Sequence, residues 1–304
     1  MPHLDSRIKS SERPSLLFVW VNLGVWLASA SYSINQRIFG GFRTRYYNRG
    51  FADFVYKGQA CVCLCAAAFA YLGYIGTKNG LKRSMIFVFI QTLLVMGASW
   101  LLFYLRAGVT FFDVLGNPVD TLRHIQWMNT RGNVIYILSL LTTADPTMVF
   151  KAQTYSFLCF LFGALGAVAR TPFDEAFVTL SWVANVFQCR QIAHMTQKAV
   201  DGEIDNKVDT WTLRAARNIT IGSFNYIGFS WWLVKIGAWS FSTGELHMAI
   251  GEFFAKVVFM LIVVNNSLEE SQLKTVRDIS VKTANLDEQM AASDRLLEKM
   301  IPAG

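Results

Sequence analysis

Apolar residues gather into eight stretches along the chain, at about 15–34, 54–76, 84–105, 121–143, 148–169, 175–198, 211–237 and 246–271. Each is close to the roughly 20 residues that a helix needs to cross the hydrocarbon core of a bilayer. The pattern predicts eight membrane-spanning helices joined by short connections. The longest connection, 35–53, is rich in Arg and Gly, and the next, 106–120, alternates around Gly116 and Asn117 as a small β-hairpin would.

Eight spans leave both termini on one side. With that side cytoplasmic, the inner segments hold Arg7, Lys9, Arg13, Lys78, Lys82, Arg83, Lys151, Lys198, Lys207, Arg214, Arg217, Lys274 and Arg277, and the outer loops hold Arg37, Arg43, Arg45, Arg49, Arg106 and Arg170. That excess obeys the positive-inside rule. The cluster Arg37–Arg49 runs against it and leaves open a seven-span core with the first helix lying elsewhere. Past Gln272 the pattern changes. Val276, Thr283, Met290 and Leu297 recur every seven residues, as do Ile279, Leu286, Ser293 and Met300, offset by three. This is a coiled-coil seam, weakened by Thr283 and Ser293 as a switchable joint would be; a surface amphipathic helix is the alternative.

Composition agrees with an integral membrane protein. Of 304 residues 53% are hydrophobic and only 16% charged, against about 25% charged in soluble domains. The net charge of +7 suits loops facing anionic lipid, and no basic run interleaved with aromatics points to nucleic acid. Cys61, Cys63, Cys65, Cys159 and Cys189 have no metal-ligand spacing and read as small buried hydrophobes. The polar start, Met1–Ser15, lacks the small-residue cleavage pattern of a signal peptide.

The last apolar stretch carries the chemistry. Glu252 and Lys256 stand in the middle of it, four residues apart and so on one helix face. A charge at the bilayer centre costs at least about 2.5 kcal/mol, which makes the pair a functional candidate; a purely structural buried pair is the alternative.

The run Arg217 to Trp231 followed by Glu252-x-x-x-Lys256, together with Arg123-His-Ile-Gln126-Trp127-Met-Asn-Thr130, resembles the microbial (type I) rhodopsins. The resemblance covers about 54–272, and its most specific parts are the acid four residues before a mid-membrane Lys and the Arg-x-x-x-Trp. It implies an all-α membrane protein: a seven-helix retinal-binding bundle over 54–271, preceded by a tail (1–14) and an extra span with its outer loop (15–53). The segment 272–304 would be a coiled-coil signalling helix. Lys256 would carry covalently bound retinal, all-trans or another isomer, as a protonated Schiff base, and Glu252 would be its counterion. An amine attacks an aldehyde only when uncharged, a form that burial favours, and the resulting cation needs a negative partner. Gln126 and Thr130 stand where the family places fourth-span acids, and neither can neutralise charge. Asp174 and Glu175 lie at the outer start of the sixth span, away from the pair. Trp127, Phe224, Ile227 and Trp231 resemble the clamp around the polyene, although each taken singly reads equally as core. Phe224, Ile227 and Gly228 replace the Trp, Tyr and Pro of the pumps, which removes a kink site and a hydrogen bond near the counterion. Asn225 is a polar replacement on the same helix. Arg131 finds no partner in the sequence reading. Asn218 and Asn265 fit a glycosylation pattern but fall at or within spans on the cytoplasmic side, where it is incidental.

Gln126 removes the acceptor acid that a pump needs, and Ile137 stands where a donor acid would be; both argue against outward proton pumping. The extra span and the ending Leu296-Leu297-x-x-Met300-Ile-Pro resemble a fungal rhodopsin–guanylyl cyclase. Glu252 in place of Asp is most like its neorhodopsin branch, from which Gln126 and Thr130 depart. The resemblance implies a non-enzymatic light sensor with red-shifted or unusual absorption. It would control a C-terminal guanylyl cyclase and pair through the coiled coil with a second rhodopsin–cyclase chain, as homodimer or heterodimer. The alternative is a light-driven anion pump or light-gated channel, and a non-retinal membrane receptor is a third reading.

Overall fold

A computed structural model of the chain describes residues 13–39, 50–78, 80–113, 115–142, 144–202 and 208–265, with Thr283, Leu286, Gln289 and Met290 beyond them. Its helices are α1 (Arg13–Phe39), α2 (Ala52–Gly76), α3 (Gly80–Tyr104), α4 (Thr121–Leu140), α5 (Pro146–Val168), α6 (Phe173–Val200), α7 (Thr210–Lys235) and α8 (Phe241–Glu252). Helix α8 continues without interruption through a π-helical turn, Phe253–Val258, into α9 (Phe259–Asn265). The hairpin expected between the third and fourth spans is present: β1 (Thr110–Phe112) pairs antiparallel with β2 (Pro118–Asp120), Phe111 opposite Val119. The coiled-coil segment falls mostly outside the described residues; of its seam, Thr283, Leu286 and Met290 are helical and exposed.

Helix starts follow local chemistry. The side chains of Asp145, Asp209 and Ser240 accept the backbone N–H of Thr147, Thr212 and Thr243, which satisfies donors that a first turn leaves open. Pro146 occupies the first turn of α5, where its missing N–H is no loss.

Helices α2 to α8 form a closed ring. Each packs on its neighbour in the chain, and α8 returns to α2. Helix α1 packs outside this ring against α4 and α5. Trp26 donates from its indole to Ser99 of α3 at 2.9 Å, and Gln153 of α5 donates to the Ser15 carbonyl at 3.3 Å. At the crossing with α4, Gly132 admits the Phe18 ring: a Cβ there would lie 3.1 Å from it.

Five helical segments, Ser15–Asn35, Ala52–Gly76, Gly80–Tyr104, Pro146–Val168 and Phe241–Val264, are long and apolar enough to cross a membrane. Their outer faces expose Leu17, Val21, Val25, Phe69, Leu72, Ile75, Leu94 and Ile250, an apolar surface suited to lipid. Helices α4, α6 and α7 are more polar, and in α4 the polarity is turned inward. In α4 Arg123, His124, Gln126, Asn129, Thr130, Arg131 and Asn133 are all buried. That is where a membrane bundle tolerates polar side chains, because they pair with one another rather than with lipid.

One of the close crossings between α7 and α8 adjoins the acid. A Cβ on Gly251 would lie 2.6 Å from Ile227 Cγ1, so only glycine lets α8 approach α7 this closely. Gly251→Ala is therefore expected to lower stability by about 1–3 kcal/mol through overpacking. Gly222→Ala, at a position with open space around it, is expected to be neutral or to stabilise by up to about 1 kcal/mol. Melting temperatures of the two purified variants check both.

Candidate functional site

Glu252 and Lys256 face each other in the centre of the ring, both fully buried, with Lys256 Nζ 4.0 Å from Glu252 Oε2. The backbone between them is not the regular α-helix that the four-residue spacing suggests. It is the π turn, with Lys256 inside it. Such turns are rare and concentrate at functional sites, and no residue preference announces them in a sequence.

Three N–H donors converge on the Glu252 carboxylate. The Trp100 indole donates to Oε2 at 2.9 Å, the Trp127 indole donates to Oε1, and the Gln126 amide lies 3.3 Å and 3.4 Å from the two oxygens. A carboxylate can only accept, and here both oxygens are met. Lys256 Nζ, by contrast, has no hydrogen-bond partner among the described residues. The acid is held firmly from the α3–α4 side, and the amine is left free.

Toward the hairpin end lies a second buried pair. Arg123 Nη1 donates to Glu245 Oε1 at 2.5 Å, and both side chains are almost fully enclosed. The guanidinium sits in an aromatic cage, 4.8 Å from the Phe103 ring centre, 5.1 Å from Trp100 and 5.7 Å from Tyr56. Trp100 thus faces both pairs. At the same end Lys235 bridges Asp174 at 3.1 Å and the Gly166 carbonyl at 2.9 Å. This keeps Asp174 with α5 and α7, away from Lys256.

A cavity lies among α4, α5, α6 and α7. Its walls include Trp127, Phe160, Gly163, Trp182, Ile227, Gly228 and Trp231, with His124 and Arg131 at its edge. Trp127 and Phe160 meet at 5.5 Å between ring centres. Phe224 is fully buried and lies against the Arg131 guanidinium, 4.1 Å from ring centre to Cζ. Asn225 turns toward α6, accepting from Asn185 at 2.8 Å and donating to the Ile221 carbonyl at 2.9 Å, and does not line the cavity. Thr130 is fully buried, with its hydroxyl unpartnered among the described residues. No cluster of metal-binding side chains occurs among the described residues.

The bacteriorhodopsin-like protein family matches residues 55–269. The chain belongs to that family. It is accordingly an integral membrane protein, and membership implies a retinal chromophore. The residues present fit that group, since a fully buried amine without a hydrogen-bond partner faces a fixed carboxylate, and Trp127, which holds that carboxylate, also lines an aromatic-walled cavity. Solved structures agree on the fold. The transmembrane domain of the Salpingoeca rosetta rhodopsin phosphodiesterase is similar at 20% identity and a TM-score of 0.73, over 86% of this chain and 99% of that one. The same domain with its linker region gives 19% and 0.75, over 93% and 92%. The thermophilic rhodopsin of Rubrobacter xylanophilus gives 16% and 0.65, over 72% and 96%. At these identities the likeness is one of fold alone. No curated protein matches the chain.

Several members of this rhodopsin's site escaped the sequence reading. Glu245 had a signal: it lies seven residues before Glu252, hence on nearly the same helix face. Trp100 had none, because an aromatic in an apolar helix is ordinarily core. Glu245→Gln is expected to lower stability by about 3–5 kcal/mol, since it strands a buried guanidinium. The double variant Arg123→Gln/Glu245→Gln is expected to lose less than Glu245→Gln alone, a sign reversal that melting curves of the three proteins resolve.

Proposed function

We propose that this rhodopsin is the light-sensing domain of an enzyme-linked photoreceptor, with retinal joined covalently to Lys256 and Glu252 as sole counterion. The observation that carries the reading is the isolated pair itself: one carboxylate 4.0 Å from one amine, with neutral Gln126 on the opposite wall. Retinal supplies a light-driven double-bond isomerisation. Everything else falls to the chain. Trp100, Trp127 and Gln126 fix the negative charge beside the lysine nitrogen. Trp127, Ile227 and Trp231 wall the cavity with apolar surface. The π turn around Lys256 is the least regular stretch of its helix, so a push on that side chain bears where the backbone has slack. Helix α9 continues from it toward the heptads at 276–300.

A sensor suits the site better than a proton pump. Gln126 cannot accept a proton from the nitrogen, and fully buried Ile137 offers no donor beyond it. The output we assign is a guanylyl cyclase reached through the coiled coil, with a second rhodopsin–cyclase chain as partner and both termini cytoplasmic; the sensory chain itself is not the enzyme. Glu252 in place of Asp supports the neorhodopsin branch. Two structural neighbours, covering 86% and 93% of this chain, come from a rhodopsin phosphodiesterase. Helix α1, apolar enough to span, fits an eighth membrane helix ahead of the ring of seven. The neutral fourth-span position also favours a second reading, an anion pump or light-gated channel; light-driven current in a voltage-clamped cell would establish it.

Reconstitution with all-trans retinal is expected to give a visible band that Lys256→Ala abolishes. Glu252→Gln is expected to move the band to the near ultraviolet at neutral pH. Without the carboxylate an uncompensated cation in the interior costs several kcal/mol, and the linkage sheds its proton instead. Joined to a class III cyclase, the domain is expected to make cyclic nucleotide at different rates in light and dark; equal rates would sink the sensory assignment.

A further inference from the structure

The seam between α2 and α8 is open on the outside of the ring. A groove of about 290 Å³ lies on it, with Phe51, Phe54, Leu246, Ile250 and Phe254 exposed on its walls. Gly58 lines the groove, and a Cβ built on it would meet nothing within 4 Å. Beside it Gln59 also lines the groove. Gln59 is 8% exposed, and its Nε2 has no hydrogen-bond partner among the described residues. An amide set in a hydrocarbon-facing groove is costly unless another polar group meets it. A lipid chain brings no such group. A second copy of this chain does, because across a two-fold axis a residue can face its own equivalent. A glutamine amide carries donors and an acceptor, so two of them satisfy each other.

The place of the groove in the fold points to the same occupant. One wall is α8, which continues through the π turn and α9 toward the heptads that begin at Val276, eleven positions past Asn265. Pairing at those heptads draws two copies of this helix together. Its other flank is closed, since α7 packs so tightly that a Cβ on Gly244 would overlap Val234. Across the ring, α1 covers α4 and α5. The α2–α8 seam is thus the open face beside the helix that leads to the heptads. We propose that this seam is the membrane surface through which two copies of the chain pair, with Gln59 bonded to its equivalent. Gly58, with no side chain, lets the two α2 backbones approach closely. The inference deepens the coiled-coil pairing proposed above by adding a second contact within the membrane.

The test is self-association of the full chain in lipid vesicles, read by energy transfer between donor- and acceptor-labelled copies as added lipid dilutes them. Gln59→Leu is expected to weaken association by on the order of tenfold, and Gly58→Trp, which fills the groove, to weaken it further. Phe54→Cys, in a chain whose five cysteines are replaced by Ala, is expected to give a disulfide-linked dimer on oxidation. Leu180→Cys, exposed on α6, is expected to give none. The Phe54→Cys crosslink decides the matter if melting curves show that Gly58→Trp does not fold. Leu286→Lys, in the heptad seam, separates the two contacts. If it abolishes association while the groove variants leave it unchanged, the groove proposal falls and the coiled-coil reading stands. If the groove variants weaken association and Leu286→Lys does not, the groove stands without the coiled coil. A lipid that co-purifies with the wild type but not with Gly58→Trp, at unchanged association, would overturn the proposal in favour of a lipid site.

Discussion

A carboxylate in the centre of a membrane bundle must be held by the protein, because neither lipid nor bulk water can solvate it. Glu252 meets that constraint through Trp100 from α3 and through Gln126 and Trp127 from α4, so two neighbouring helices commit three side chains to one acid. The position of Lys256 follows. With the acid fixed from one side, the amine on the next part of the same helix is the group without a hydrogen-bond partner among the described residues. Next to Glu252, Gly251 lets α8 pack closely on Ile227 of α7.

The polar interior is laid out in levels along the bundle. At the hairpin end Lys235 pairs with Asp174, and Arg123 pairs with Glu245 inside its aromatic cage. Next come Trp100 and Trp127, which face the upper pair with their rings and Glu252 with their N–H groups. Below Glu252 and Lys256 lies Arg131 with its amide partners on α6. Beside that level Asn133 joins Thr92 of α3 at 3.0 Å and Asn129 at 3.4 Å. Each level ties helices that the chain separates widely, and α4 contributes to nearly all of them. That is why α4, the helix least able to pass for a membrane span by apolarity, occupies an interior position in the bundle.

Much of this was legible in the sequence because hydrophobic period and length are direct consequences of the bilayer. Seven of the apolar stretches became α1 to α7, the described part of the eighth became the run from α8 through the π turn into α9, and the Gly116–Asn117 alternation became the hairpin. The acid–lysine spacing located the centre of the site because ionisable residues in such a stretch are too costly to be incidental. What stayed hidden depends on three-dimensional neighbours. Trp100 and Glu252 are 152 positions apart, and nothing local distinguishes this tryptophan from core. Asn225 shared a helix with the clamp residues, yet its side chain bonds to Asn185 because the neighbouring turn of α6 offers an amide there. Arg131 had no visible partner because its partners are amides, a carbonyl and ring faces, none of which charge pairing can find.

The distribution of charge bears on what the site can do. Arg123 is balanced by Glu245 and Lys256 by Glu252, while Arg131 is balanced by nothing among the described residues. On the fourth helix Gln126 is neutral and Arg131, five residues on, is positive, so among the described residues Glu252 is the acid that meets Lys256. What remains is a lysine that can move against a fixed acid, on a turn of helix with slack in its backbone, at the head of a segment patterned for pairing. Such an arrangement suits the transmission of a displacement better than the transport of an ion.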